Sequence, residues 1–217
     1  MSPGALLPRH TLGRVSPETE GQAVLTLDLD KLKAVNLTRW QSCHVLPEWL
    51  RILDSISHRL VNAKPHYQQV AQKTGVPWPV IAVIHERESS QSWFASLAQG
   101  DPWNRVSIHV PKGRGPFDSW EEAAADALVV CPPHAARWED WSIGGALVLL
   151  EQYNGLGYAR MGRPSPYLWS GTNQYHSGKY VADGHYDPTA IDHQTGCASL
   201  LIRMALIDSS IPGEWHP

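Results

Sequence analysis

The segment from Pro79 to Ser90 constrains the fold of this chain more than any other. An apolar run, V-I-A-V-I, leads directly into H-E-R-E-S-S, and the proline suits the first turn of a helix. A helix so rich in apolar residues has to be buried, and it carries His85, Glu86 and Glu88 at its end. Desolvation raises the pKa of a carboxyl group, which is the property a general acid needs near neutral pH.

The composition predicts one globular domain. The chain has 217 residues, 42% of them apolar, which is enough for a substantial core. We assign residues 1–45 to an N-terminal extension and residues 46–217 to a catalytic domain. With 18 Lys and Arg against 21 Asp and Glu, the chain has no basic surplus for a phosphate backbone, so nucleic acid is not an expected partner.

No targeting or membrane segment is evident. The N-terminus lacks the apolar run of a signal peptide, and no later stretch reaches about 18 apolar residues. We therefore expect a soluble monomer, made in the cytoplasm and not inserted into a membrane. The widely spaced Cys43, Cys131 and Cys197 form no disulfide framework and are predicted to be buried or free thiols.

Residue periodicity predicts a mainly helical α+β fold. Apolar spacing and capping residues indicate helices from Pro47, over 66–74, from Asp118 or Ser119 to about 130, over 143–153 and over 195–207. Alternation over 105–110 predicts a small β-hairpin, and residues 23–29 are either a strand or a mobile extension. Ten Trp and seven Tyr against two Phe suit sugar faces, although at least half of these rings are expected in the core.

Zinc has to be considered first, because His85 to Ser89 begins like the H-E-x-x-H metal-binding helix. Ser89 occupies the position of the second histidine, so the helix lacks its pair of ligands. We predict no metal ion and no cofactor. A zinc amidase using His85, His109 or Cys131 remains the least favoured alternative, and the histidines are expected to be structural.

Helical spacing distinguishes the two glutamates. Glu88 follows Ile84 by four residues and Ile81 by seven, so it shares their buried face, whereas Glu86 points about half a turn away. We predict Glu88 as a general acid and Glu86 as a solvated or arginine-paired residue. The alternative for Glu88 is a structural carboxylate tied to Arg87 or to a backbone amide.

A second carboxylate follows thirteen residues later at Asp101, and the hydroxyl of Ser107 lies six residues beyond it. Glycoside cleavage needs a protonated acid and a second carboxylate that activates water or supports the sugar cation. Asp101 could instead be a plain turn residue in Gly-Asp-Pro. Asp126 and Asp183 are weaker candidates, expected to brace a helix and to form a turn.

Several motifs follow one another in a fixed order: I-H-E-R-E-S-S (84–90), the Gly-Asp-Pro turn (100–102), V-P-K-G-R (110–114), S-W-E-E-A-A-A-D-A-L (119–128), E-Q-Y-N-G-L-G-Y (151–158), S-P-Y-L-W-S (165–170) and Y-V-A-D-G (180–184). In this order they resemble the lysozyme superfamily, and more narrowly a family of phage and bacterial lysozyme-like proteins. The resemblance spans roughly 47–207. This chain reads L-A-Q-G-D from Leu97 where the family reads L-H-N-G-D.

The resemblance implies a lysozyme-like helical domain in which Glu88 is the catalytic acid, assisted by Asp101 and Ser107. Tyr153-Asn154-Gly155 is similar to the Y-N-x-G stretch that lines the cleft of lytic transglycosylases, although it could equally be a helix C-cap. Further residues are expected to extend that sugar-binding surface: Tyr158, Tyr167, Trp169, Asn173 and Tyr175.

The function that this resemblance implies is cleavage of the β-1,4 bond of bacterial peptidoglycan. The expected protein is a muramidase, similar to a phage endolysin, that reaches the cell wall by release or delivery. Two alternatives stay open from the sequence. One is a lytic transglycosylase on the same fold, and the other is a phage-particle or wall-binding protein without turnover.

Overall fold

A computed structural model describes residues 27–98, 100–109, 111–182 and 184–216. Within them, the chain forms nine α-helices and a single two-stranded antiparallel sheet, which confirms the predicted mainly helical α+β class. The helices are α1 (Leu29–Gln41), α2 (Leu50–Asn62), α3 (Lys64–Thr74), α4 (Trp78–Ser89), α5 (Trp120–Val130), α6 (Ile143–Tyr153), α7 (Gly157–Arg160), α8 (Pro166–Trp169) and α9 (Cys197–Ile207). The strands are β1 (Lys179–Ala182) and β2 (His185–Asp187).

Helix α4 lies at the centre of the molecule, as its apolar sequence predicts. Every residue from Trp78 to Glu86 is buried. The helix contacts α2, α3, α6 and α9, so neighbours cover it on all sides. Its last turn therefore delivers polar side chains from the middle of the hydrophobic core to its edge.

The chain's capping residues define several helix ends. Ser119, and not Asp118, caps α5, because its side-chain oxygen accepts the N–H of Glu122 at 3.2 Å. Gly75 ends α3 in the left-handed conformation, with φ of 74°, as glycine permits. The observed bounds of α6 are those that the sequence predicts.

The helical body begins earlier than the predicted boundary at residue 45. Helix α1 packs against α6, and the α1 side chains of Leu32 and Trp40 are buried. Lys33 also pairs with Asp140 at 2.7 Å, just before α6. Residues 29–45 are therefore part of the domain, and most of the possible strand from Ala23 lies outside the described residues.

The β-hairpin forms at a different place from the one predicted. In 100–109 the described residues contain no strand, and Val106 and Ile108 are 54% and 70% exposed. Alternation favours a strand only where one face is buried, and here the apolar positions face solvent. The hairpin is instead formed by β1 and β2, where Tyr180 pairs with Tyr186.

Most of the Trp and Tyr residues contribute to the core, in agreement with the expectation that at least half would do so. All ten Trp side chains are either buried or packed against the core while partly buried. All three cysteines are buried and lie outside any disulfide, and burial raises the pKa of Cys43 to about 11. No helix within the described residues combines the length and hydrophobicity needed to cross a bilayer.

A close backbone approach at Gly196 yields a test of this packing. A Cβ atom at this position would lie 2.4 Å from the carbonyl oxygen of Leu168 and 2.6 Å from the nitrogen of Ser170. Gly196→Ala should lower the free energy of unfolding by about 2 kcal/mol, measured by urea denaturation, because the α8 backbone has to move. Gly213→Ala, which meets no atom within 4 Å, is the control. Equal effects of the two substitutions would contradict the packing described.

Candidate active site

Glu88 occupies the last turn of α4, where the buried helix reaches the surface. Its side chain is half-buried, and its Oε1 accepts a hydrogen bond from the hydroxyl of Tyr167 at 3.0 Å. Burial, and then the negative charge of Glu88, raise the pKa values of Tyr153 and Tyr167 above those of a free phenol. The structure thus brings together three of the predicted site residues, from α4, α6 and α8.

An ion pair lies directly behind this group. The guanidinium of Arg87 pairs with Asp192 at 2.5 Å, and both side chains are 7% exposed. Arg87 also donates to the carbonyl of Thr195 at 3.3 Å and stacks over the ring of Tyr167 at 5.1 Å. Tyr167 is therefore held between Arg87, against its ring face, and Glu88, at its hydroxyl.

The ion pair also fixes the charge state of Asp192. Burial alone would raise the pKa of this carboxyl group, but the charge of Arg87 and its hydrogen bond lower the pKa below the usual value. Asp192 is absent from the residues that the sequence singles out. Asp192 belongs to the site only because it contacts Arg87, which lies 105 residues away in the sequence. A local sequence pattern cannot predict such a contact.

The sequence predicts that Glu86 is either solvated or paired with an arginine, and the structure excludes the solvated alternative. Glu86 is only 9% exposed, and the Arg59 guanidinium lies 3.6 Å from its Oε2, so the arginine-paired alternative is the correct one. Burial raises the pKa of Glu86, and the charge of Arg59 offsets part of that rise. The helix face that carries Glu86 is buried because α2 packs against it.

His85 is a structural residue, as expected. It is completely buried, its Nε2 lies 3.0 Å from the carbonyl of Ser92, and its Nδ1 lies 3.1 Å from the hydroxyl of Tyr67. Burial lowers the pKa of His85 to about 4, so the ring is neutral near pH 7. A neutral imidazole has one donor, and the carbonyl partner assigns that proton to Nε2.

The carboxylate of Asp101 braces its own loop. It accepts the N–H groups of Ile108 and His109, each at 3.0 Å, and lies 2.6 Å from Nδ1 of His109. Burial opposes ionisation of Asp101, but these hydrogen bonds lower its pKa. Asp101 is 7% exposed, and the hydrogen bonds that its side chain makes with described residues all remain within this loop. The turn-residue alternative therefore describes Asp101 better than a catalytic role.

Ser107 has a comparable structural position. Its hydroxyl donates to the carbonyl of Pro111 and accepts the N–H of Arg114, both at 2.9 Å. These bonds close a compact loop in place of the predicted strand. Asp126 forms an ion pair with Arg114, as the bracing alternative predicts, and Asp183 lies outside the described residues.

Four of the predicted sugar-binding residues are buried, which corrects their assignment to a surface: Tyr158, Tyr167, Trp169 and Tyr175. Trp169 is 0% exposed and offers no ring face to a ligand. Tyr158 is 5% exposed, and its hydroxyl accepts the N–H of Tyr180 at 2.9 Å. Tyr175 is 4% exposed, and its hydroxyl accepts the N–H of Asp192 at 3.1 Å. The hydroxyls of Tyr158 and Tyr175 thus hold the β1–β2 hairpin and the Asp192 segment in place.

The two predicted asparagines are half-buried and have different environments. Asn173 joins the end of α1 to the chain after α8, because its amide accepts the N–H of His44 at 2.9 Å and donates to Ser42 at 3.1 Å. Asn154 caps α6, and Gly155 follows with φ of 83°, which confirms the C-cap alternative. Asn154 thus remains beside Tyr153 at the candidate site, whereas Asn173 serves as a tether.

The structure adds Glu151 as a buried carboxyl that the sequence analysis missed. It is 2% exposed, and its Oε2 accepts a hydrogen bond from Ser165 at 2.6 Å. Burial raises the pKa of Glu151 to about 7, against opposing effects of Ser165 and the charge of Arg39. Its position after the apolar run A-L-V-L-L is a signal of the kind that identified Glu88 and could have revealed it.

A mainly helical α+β protein with a carboxyl-centred site is the class that these features define. Among the residues with described positions, no three His, Cys, Asp or Glu side chains are grouped so that they could hold a metal ion. The chain matches no family model, no curated protein and no solved structure with which it was compared. The proposals below therefore depend on its own residues.

Glu151 should make stability depend on pH. Its pKa rises from 4.5 to about 7 on folding, so the folded state holds a proton that the unfolded state releases in this range. The stabilisation is complete below about pH 4.5 and is lost as pH rises through 7, by roughly 3 kcal/mol. Urea unfolding at about pH 5 and pH 8 should therefore show a smaller decrease for Glu151→Gln than for the wild type.

The exposed Glu139 is the matched control, and Glu139→Gln should keep the wild-type pH dependence. An unchanged pH dependence in Glu151→Gln would show that this carboxyl does not titrate as described.

Proposed function

We propose that the protein is a peptidoglycan-cleaving glycoside hydrolase of the lysozyme type, with Glu88 as its general acid. The observation that carries this proposal is the half-buried carboxyl group of Glu88, which ends a buried helix and accepts a 3.0 Å hydrogen bond from Tyr167. The mainly helical fold and the series of motifs that resemble the lysozyme-like family also support this proposal. In this proposal the enzyme acts on the bacterial cell wall after release or delivery.

The proposed reaction begins with proton transfer from Glu88 to the bridging glycosidic oxygen. Tyr167 donates to Oε1 of Glu88, so we assign the acidic proton to Oε2. The bond from the anomeric carbon to the bridging oxygen then breaks, and an oxocarbenium-like sugar forms. Water adds to that carbon and releases a proton, which restores the acid for the next cycle.

Tyr153 and Asn154 are the residues that we place along the sugar. Both are half-buried at the end of α6, and the charge of Glu88 acts on the Tyr153 hydroxyl. The amide nitrogen of Asn154 is fully buried, so we place its amide oxygen as the acceptor for an N-acetyl N–H, and the tyrosine offers a ring face with a polar edge. Tyr167, which is 6% exposed, would position Glu88 and have little contact with sugar.

Glu88→Gln should reduce the release of fragments from purified cell walls by about 1,000-fold, because the amide has no proton to give to the leaving oxygen. Circular dichroism and urea unfolding should show that the variant remains folded. Glu139→Gln, on an exposed site, should keep wild-type activity. Full lytic activity of a folded Glu88→Gln variant, or wall binding by the wild type without any fragment release, would overturn the proposal.

A lytic transglycosylase is the second candidate, and the hydrogen bonds of Asp101 favour it. The carboxylate of Asp101 is committed to its loop, so a mechanism that uses Glu88 alone as both acid and base requires fewer residues. Such an enzyme releases an anhydro sugar, whereas hydrolysis adds a water molecule. Mass spectrometry of the released muropeptides separates the two reactions, because the products differ by the mass of one water.

A further inference from the structure

A groove of about 540 Å³ lies between α1 and the chain at the end of α7. One wall is α1 with the two residues before it, and the other is formed by residues of the stretch 159–163. Glu88, Tyr153 and Tyr167 do not line it. Its volume is within the range of about 300–1,000 Å³ that is usual for small-molecule sites, so the groove is large enough for a ligand of its own.

The lining of this groove is strongly basic, although the whole chain has a net charge of -3. Lys31 and Arg39 of α1 line one side, and Arg160 and Arg163 line the other. Among the described lining residues only Asp28 is acidic, and its carboxylate already caps α1 and pairs with Lys31 at 3.5 Å. Four cations against one committed carboxylate make the groove attractive to an anion.

The three arginines of the groove have no carboxylate within ion-pair distance in the part of the chain that the structure describes. Arg39 and Arg160 each donate to a backbone carbonyl at 3.5 Å, and Arg163 donates to the hydroxyl of Tyr186 at 3.1 Å. Four other described arginines, in contrast, pair with carboxylates. The guanidinium groups of the groove therefore remain able to bind a carboxylate or a phosphate.

Arg39 is the least exposed of the four cations. It is half-buried, and its Nη2 reaches the carbonyl of Gly162 in the opposite wall, so the guanidinium group spans the groove. Burial lowers the pKa of Arg39, and the charge of Glu151, a carboxyl group that is protonated below about pH 7, offsets only part of that effect. A partly desolvated cation without a direct counter-ion is unfavourable, so an anion bound beside it would recover free energy.

The rest of the lining is apolar. Leu27, Leu32 and Val35 lie on the α1 side, and Ala159 and Gly162 lie opposite. Leu32 is 7% exposed and Val35 is 45% exposed, so the apolar surface continues from the core into solvent. The described lining includes no Ser, Thr, Asn, Gln or Tyr, whose neutral side chains bind the hydroxyls and amides of sugars and peptides. The groove therefore suits an apolar body with an anionic head better than a sugar or a peptide.

We propose that this groove binds an acidic single-chain lipid, whose carboxylate or phosphate head pairs with Arg39 and the neighbouring arginines and whose acyl chain packs against Leu32 and Val35. Both head groups have the oxygen geometry that guanidinium groups bind, and the acyl chain covers the apolar area that Val35 exposes. The site is separate from Glu88 and does not require glycoside cleavage. It therefore stands whether or not the proposed function is correct.

Nuclear magnetic resonance titration of the full chain tests this site with ligands kept below their micelle concentrations. Decanoate and decyl phosphate are the acidic probes, decyltrimethylammonium has the opposite charge on the same chain, and acetate and inorganic phosphate are head groups without a chain. At least one acidic probe should shift the amide signals of Val35 and Gly162 and bind about 10-fold more tightly than every control. No shift by either acidic probe, or a control that binds as tightly as both, would overturn the proposal.

A bilayer surface is the competing partner for a basic, partly apolar groove. Sedimentation with vesicles of phosphatidylcholine and phosphatidylglycerol in equal amounts distinguishes the two partners. Binding of an acidic probe supports the single-chain site whether or not the protein sediments with these vesicles. Sedimentation without probe binding assigns the groove to a bilayer surface and contradicts the proposal.

Substitutions in the full chain test the head-group contacts. Arg39→Gln should weaken binding of the acidic probe by about 10-fold, because a charge-assisted hydrogen bond is replaced by a neutral one. Arg51→Gln, at an exposed position of α2 outside the groove, is the matched control and should bind as the wild type does. Thermal unfolding shows whether Arg39→Gln is folded. If it is not, Arg160→Gln combined with Arg163→Gln, both at exposed positions, should give the same loss. Wild-type affinity in a folded Arg39→Gln variant, or in the double variant, would exclude the head-group contacts.

A last variant keeps this proposal apart from the enzymatic one. Glu88→Gln should bind the acidic probe with wild-type affinity, whether or not it degrades cell walls. Retained wall cleavage with retained probe binding would contradict only the catalytic role of Glu88. Loss of probe binding in folded Glu88→Gln would contradict the separation of the two sites.

Discussion

The buried ion pair between Arg87 and Asp192 is the interaction on which the candidate site depends. Two buried charges are tolerated only when each is paired and hydrogen-bonded, and this pair satisfies that condition with contacts from several elements. The Oδ1 atom of Asp192 also pairs with Nζ of Lys179 in β1 at 3.4 Å and accepts the N–H of Gln194 at 3.3 Å. Its backbone N–H donates to Tyr175, so a single residue links the hairpin, the approach to α9 and the end of α4.

The end of α4 shows how four consecutive polar residues can occupy the edge of a core. Each side chain points in a different direction and has its own partner: His85 contacts Tyr67 and Ser92, Glu86 contacts Arg59, Arg87 contacts Asp192, and Glu88 contacts Tyr167. These partners come from different elements of the chain. The two glutamates therefore experience separate environments although they lie two residues apart.

Local sequence signals predicted the helices well because their causes are local. Apolar spacing and capping oxygens specified α3, α5 and α6, and the bounds of α6 agree with the prediction. The same spacing argument placed Glu88 on the buried face of α4 and Glu86 away from it, and this was wrong: Glu86 is the more buried of the two, because neighbouring helices cover α4 on several sides. The hairpin was misplaced because alternation over 105–110 does not reveal which side is buried, and Val106 and Ile108 face solvent.

The rest of the site required the tertiary structure. The chemistry of an aromatic ring does not distinguish a core position from a surface position, so the sequence predicts a sugar-binding surface at Trp169 and Tyr175 although both are buried. Asp192 became visible only through its contact with Arg87. Asp101 and Ser107 satisfied the expected spacing, yet their hydrogen bonds hold a loop together.

The buried thiol of Cys197 gives the site an internal chemical reporter. The first residue of α9 is completely buried, and it lies near enough to Arg87 and Glu88 for their charges to alter its pKa. Burial raises that pKa, and a protonated, covered thiol reacts very slowly with alkylating reagents. Its rate of alkylation therefore measures how often α9 separates from α4, and no cysteine has to be introduced to follow that opening.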